Sequence, residues 1–129
     1  MATKFAVGID IIEIDRVADV IARHGDRFLQ RVYTADEIAH CRGRISELAA
    51  RFAAKEAVMK MLGTGWRGGV EWTDIETLPD PLGKPLVALH GATAKLAESL
   101  GITHVLVSIS HAGEYAIASA LGLTSAIRP

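Results

Sequence analysis

The chain has 129 residues, half of them hydrophobic but only 5% aromatic, with 14 basic side chains against 15 acidic ones. That length fits one domain with a real core, built mainly from aliphatic and alanine side chains. A net charge of −1 excludes the basic excess of a general nucleic-acid binder.

The opening MATKFAVGID carries no signal-peptide pattern, because Asp10 interrupts its apolar run. Residues 5–14, FAVGIDIIEI, are β-branched and aliphatic and read as a largely buried strand. A helix follows from about Asp15, a candidate cap, through VADVIARHG to a stop at Gly25. Thr34 and Glu37 in TADE form the capping box of a second, short helix. The long third helix is SELAARFAAKEAVMKML, ended by Gly63. GTGWRGG then reads as a loop, EWTDIETL as a half-buried strand and PDPLGKP as a turn. PLVALHG is a strand, ATAKLAESLG a helix and THVLVSIS a strand, and HAGE connects to the last strand, YAIASALGL. The order β-α-α-α-β-β-α-β-β predicts a single α+β domain, mainly antiparallel, around a long central helix. The longest apolar stretch, around AIASALGL, is too short to span a bilayer. Cys41, the only cysteine, excludes an internal disulfide and suits a reducing compartment. A soluble cytoplasmic protein is expected.

Two carboxylates stand where apolar residues belong. At 100° per residue, Glu56 shares an arc of roughly 80° with Ile45, Leu48, Phe52 and Met59. Asp10 sits mid-strand on the face of Gly8 and Ile12. Either each pairs with a nearby cation, or one divalent ion such as Mg²⁺ neutralises both. Lys60, four residues after Glu56, is placed for a helical ion pair or a phosphate contact. Arg51 and Lys55 lie on an adjoining face that reads as solvated. The glycines of GTGWRGG follow a helix instead of preceding one, the wrong order for a phosphate loop. Ser110 and His111 are strand neighbours pointing to opposite faces, which disfavours a nucleophile–base pair but leaves His111 able to touch a ligand. No histidine spacing or cysteine cluster suits zinc. Arg16, Arg23, Arg27 and Arg31 recur within 16 residues, a local patch for an acidic partner.

Three segments, GIDIIEIDRV, RFAAKEAVMKMLGTG and VSISHAGEYAIA, with the minor match GKP at 83–85, resemble the holo-acyl-carrier-protein synthase family of small 4′-phosphopantetheinyl transferases. The likeness covers nearly the full length, 1–129, in the same order and spacing. It implies Mg²⁺-dependent transfer of the 4′-phosphopantetheine arm of coenzyme A to a serine of acyl carrier protein, releasing adenosine 3′,5′-bisphosphate. By motif, Asp10 and Glu56 would be the Mg²⁺ ligands and Lys60 would steady the pyrophosphate. Glu56, or a water it holds, would be the base. Arg51, Lys84, Pro85, Ser110 and His111, with Lys60, would contact coenzyme A. Arg16, Arg23 and Arg27 on the first helix would dock the carrier. The resemblance also implies a homotrimer with active sites between subunits. Two other readings stand beside it: a carrier-docking module without catalysis, and a metal-dependent phosphohydrolase of coenzyme A.

Overall fold

The computed structural model describes residues 5–63 and 65–124. Thr64 of the glycine-rich loop, the first four residues and the end of the LTSAIRP tail lie outside them. The elements run β1 (Phe5–Glu13), α1 (Ile14–His24), α2 (Asp26–Val32), α3 (Ala35–Cys41), α4 (Ile45–Leu62), β2 (Ile75–Pro79), β3 (Pro85–Leu89), α5 (Gly91–Ser99), β4 (Ile102–Ala112) and β5 (Tyr115–Thr124). All strand pairs are antiparallel. One sheet has the order β1-β5-β4, and β2 pairs with β3 in a separate hairpin. The α+β class and the long central helix are as expected.

Several local expectations change. The helix α2 was not anticipated, so the Thr34–Glu37 capping box opens the third helix. Asp15 does not cap α1; it lies in the first turn, and Glu13 is the N-cap without a side-chain bond. Only Ile75–Pro79 of EWTDIETL is strand, because Trp72–Asp74 forms a single 3₁₀ turn. The β4–β5 hairpin is tighter than HAGE implied, with Ala112 opposite Tyr115 across Gly113 and Glu114.

The strand β1 is not largely buried. Its burial alternates strictly, and Phe5, Val7, Ile9 and Ile11 stand in solvent on one face. Register aligns them with Ile117 and Ser119 on β5 and with Leu106, Ser108 and Ser110 on β4, so one whole sheet face is open and largely apolar. The opposite face is made of small residues, Gly8, Ala116, Ala118, Ala120 and Gly122, and it receives α4. The helix answers with Ala53, Ala54, Ala57 and Met61. Small side chains on both surfaces bring helix and sheet unusually close. A Cβ on Gly8 would sit 2.0 Å from the Ala57 carbonyl oxygen and 2.6 Å from the Met61 nitrogen.

Because α4 is covered around most of its circumference, two of its charged residues are buried too. Arg51 is 2% exposed and Lys55 is 0% exposed, so the solvated face expected for them does not exist. The Tyr33 hydroxyl, also buried, donates to the Leu48 carbonyl at 2.7 Å. Burial first, then the neighbouring Cys41 and Glu37, raise the pKa of Tyr33 far above its ordinary 10.0. A raised folded value means that this contribution to stability is full below pH 10 and lost as pH rises past it. The loss proceeds at up to about 1.4 kcal/mol per pH unit. Tyr33→Phe is expected to cost about 1 kcal/mol at neutral pH and to flatten the alkaline fall. Urea unfolding of both proteins between about pH 9 and about pH 11 checks this, and parallel curves would refute it.

Candidate functional site

The close contact between β1 and α4 brings Asp10 and Glu56 together. Asp10 projects from the small-residue face of β1, and both carboxylates line one cavity of about 420 Å³ with Arg16, Phe28 and Phe52. Lys60 pairs with Asp10, its Nζ 3.0 Å from Oδ1, and not with Glu56 as helical spacing suggested. Its side chain stays 57% exposed, so the ammonium can also meet a ligand beside that cavity. The Glu56 carboxyl is held above its ordinary range, mainly by desolvation and next by the Asp10 charge. Lys60 and a hydrogen bond from Trp66 partly offset this.

No group of three or more His, Cys, Asp or Glu side chains gathers among the described residues. Two mutually repelling carboxylates beside an open cavity do fit Mg²⁺, which takes one or two protein carboxylates and completes its shell with water and phosphate oxygens.

One wall of the site is aromatic. Trp66 stacks on Trp72 with centroids 3.9 Å apart, Trp72 on Phe52 at 4.9 Å, and Phe52 on Phe28 at 6.3 Å. The ladder reaches Tyr33 through an edge contact of 6.0 Å with Phe28. Sequence patterning missed it, since its members come from four separate segments.

A second cavity, of about 510 Å³, is lined by Arg51, Pro85 and His111, three of the residues singled out in the sequence. Gly83 and Pro85 line it on either side of Lys84, whose backbone N–H donates to Asp80 Oδ1 at 2.9 Å in the turn. His40 and Arg44, not singled out, line it as well. Burial, then the Arg51 and Arg44 charges, hold the His40 imidazole below its ordinary range. The cavity mixes signs, since Glu47 and Asp80 also line it and Glu47 Oε2 pairs with Arg51 Nη1 at 2.8 Å. Ser110 is not brought to either cavity. It stands on the open sheet face opposite Ile117, while His111 turns to the helix side. Arg16 reaches the carboxylate cavity, whereas Arg23 and Arg27 are exposed at the end of α1 and the start of α2.

Comparison with known proteins places these features in context. A sequence model of the 4′-phosphopantetheinyl transferase superfamily matches residues 6–120. The chain is 49% identical over 117 residues to the holo-[acyl-carrier-protein] synthase of Koribacter versatilis, covering 88% of this chain and 94% of that protein. It is 48% identical over 122 residues to the synthase of Herpetosiphon aurantiacus, covering 90% and 96%. The crystal structure of the Helicobacter pylori holo-[acyl-carrier-protein] synthase in complex with coenzyme A aligns with a TM-score of 0.82 at 32% identity, covering 90% of this chain and 98% of that one.

Proposed function

Because the chain belongs to the 4′-phosphopantetheinyl transferase superfamily, we propose that it transfers 4′-phosphopantetheine from coenzyme A to a serine of apo-acyl carrier protein. One observation carries this reading to the residues: Asp10 and Glu56, from two elements, line one cavity, and Lys60 pairs with Asp10 beside it. Residues 1–129 act as one transferase domain.

The serine hydroxyl attacks the β-phosphate of the coenzyme A pyrophosphate. A new P–O bond forms on serine, the pyrophosphate bridge breaks, and adenosine 3′,5′-bisphosphate leaves. Asp10 and Glu56 would hold Mg²⁺, and the chemistry it supplies when bound is positive charge on the pyrophosphate oxygens. Glu56 takes the serine proton directly or through a water it holds. Lys60 offers its exposed ammonium to the pyrophosphate and to the charge growing on the leaving group. The second cavity suits the nucleotide end of coenzyme A, with Arg51, Lys84, Pro85 and His111 around it and Ser110 beyond its rim. Arg16, at the edge of the carboxylate cavity, begins a basic track with Arg23 and Arg27 that suits an acidic carrier and speeds encounter. The lone buried thiol, Cys41, fits a reducing cytoplasm, and no described helix is long and apolar enough to cross a membrane.

Within one chain the two cavities are separate, and a homotrimer that shares sites between subunits would join them. The open apolar sheet face supports that assembly, with Val7 68% and Ile9 59% exposed. Ile9→Lys is expected to convert a particle of three 13.8 kDa chains into monomers and to depress transfer with it. Sedimentation shows this directly; a parent that sediments as one chain would refute the trimer.

Incubation with coenzyme A, Mg²⁺ and apo-acyl carrier proteins, followed by mass spectrometry of the carrier, tests the reaction. The expected result is a gain of one phosphopantetheine arm. No gain on any of several carriers would overturn the proposal.

A further inference from the structure

The residue before Glu56 is a lysine with no access to solvent. Lys55 Nζ donates to Glu37 Oε1 at 2.7 Å, to the Trp72 carbonyl at 3.2 Å and, in a short contact, to the Ile75 carbonyl. It also lies 5.7 Å from the centre of the Tyr33 ring. Glu37 is equally buried. Its Oε1 also accepts from the Thr34 backbone at 3.0 Å, and its Oε2 accepts from the Thr77 backbone N–H at 2.9 Å. Arg51 Nε donates to the Thr77 carbonyl at 3.1 Å.

These bonds share a target. Among the described residues β2 pairs only with β3, so its other edge presents backbone groups with no strand to meet them. Three of those groups, Ile75 C=O, Thr77 N–H and Thr77 C=O, are each taken by a side chain of α3 or α4. At the next position on that side, Pro79 has no N–H to satisfy. The free edge is thus closed by charged side chains.

Stability alone does not require such a pair. Replacing a buried ion pair by apolar groups of similar volume is often neutral or favourable. Apolar packing cannot supply direction, whereas hydrogen bonds to backbone groups set both register and angle. The element held this way is the β2–β3 hairpin, whose turn brings Gly83 and Pro85 to the cavity of Arg51 and His111. The element holding it is the helix whose next residue is Glu56.

We infer that Glu37 and Lys55 are positioning residues for coenzyme A, fixing the β2–β3 turn against the helix that carries Glu56. The inference rests on the transferase reading. Neither residue touches substrate; both act through the hairpin.

The test is the double variant Lys55→Met, Glu37→Gln, which removes both charges together and strands neither. The Michaelis constant for coenzyme A is expected to rise by about tenfold or more. The turnover number and the Michaelis constant for the carrier stay within about twofold of the parent, because the groups at the reacting atoms are untouched. Amide hydrogen exchange at Thr77 accelerates while that of α4 does not. Glu37→Asp, which keeps both charges and shortens the reach to Thr77, moves both quantities the same way and serves if the double variant does not fold. Faster exchange at Thr77 with unchanged coenzyme A affinity would overturn the positioning role. So would a loss confined to the turnover number, which would put Lys55 in the chemical step. A parent chain that neither transfers nor binds coenzyme A overturns the transferase reading itself, a result separable from the other two.

Discussion

Glu56→Ala is expected to lower transfer by about 10³-fold or more, with Asp10→Ala close behind and the fold intact in both. The magnitude follows from losing a proposed Mg²⁺ ligand, since metal charge on pyrophosphate oxygens is worth several kcal/mol in the transition state. The folding cost is small, because each substitution relieves a carboxylate–carboxylate repulsion instead of opening a core. Removing Asp10 also frees Lys60 from its 3.0 Å contact. The two variants are therefore expected to differ: Glu56→Ala loses ligand and candidate base, while Asp10→Ala loses a ligand and a partner of Lys60. Carrier mass gain at limiting Mg²⁺, with circular dichroism to follow the fold, decides the matter. A rate within tenfold of the parent in either variant would remove that residue from the site.

Gly8→Ala is the second large effect, and here the fold itself fails. The added Cβ would meet the Ala57 carbonyl and the Met61 nitrogen, at 2.0 and 2.6 Å. Both are helix backbone, so relief requires pushing α4 away from β1, at more than about 3 kcal/mol for so tight a site. The same displacement would part Asp10 from Glu56, so any folded fraction would transfer poorly. Gly122→Ala makes a useful contrast. There the new Cβ would approach the Met61 Sδ at 2.8 Å, the far end of a flexible side chain that can turn aside. Its cost is expected to stay nearer 1 kcal/mol. Denaturant unfolding of both variants gives the comparison, and equal stabilities would refute the close approach as the reason for glycine at position 8.

The sequence was most legible where a residue type contradicted its setting. Asp10 within an aliphatic strand and Glu56 in line with Phe52 and Met59 were visible as anomalies, and the structure brings them to one cavity. Strand order along the chain was readable because period-two runs and turn residues alternate cleanly after residue 70. The α4 surroundings were misread for a physical reason. Periodicity reports one buried stripe, but this helix packs against sheet, hairpin and α3 around most of its circumference, with Lys60 its one exposed residue. Arg51 and Lys55 looked solvated because charge is normally a mark of exposure, and their partners lie far away in sequence. Glu37 was recognised for its bond to the Thr34 backbone, yet its bonds to Lys55 and Thr77 are tertiary and leave no local trace. The exposed face of β1 is the converse case. An aliphatic strand reads as interior, but only one of its two faces is covered within the chain.

The aromatic ladder gives the protein a built-in optical reporter. Its two indoles, 28° from parallel with centres 3.9 Å apart, are close enough to behave as one coupled chromophore. They contribute a paired near-ultraviolet dichroic band instead of two independent signals. All of the tryptophan emission therefore originates at one place, the loop beside Glu56. Binding beside Glu56 is therefore expected to register in that emission without a label.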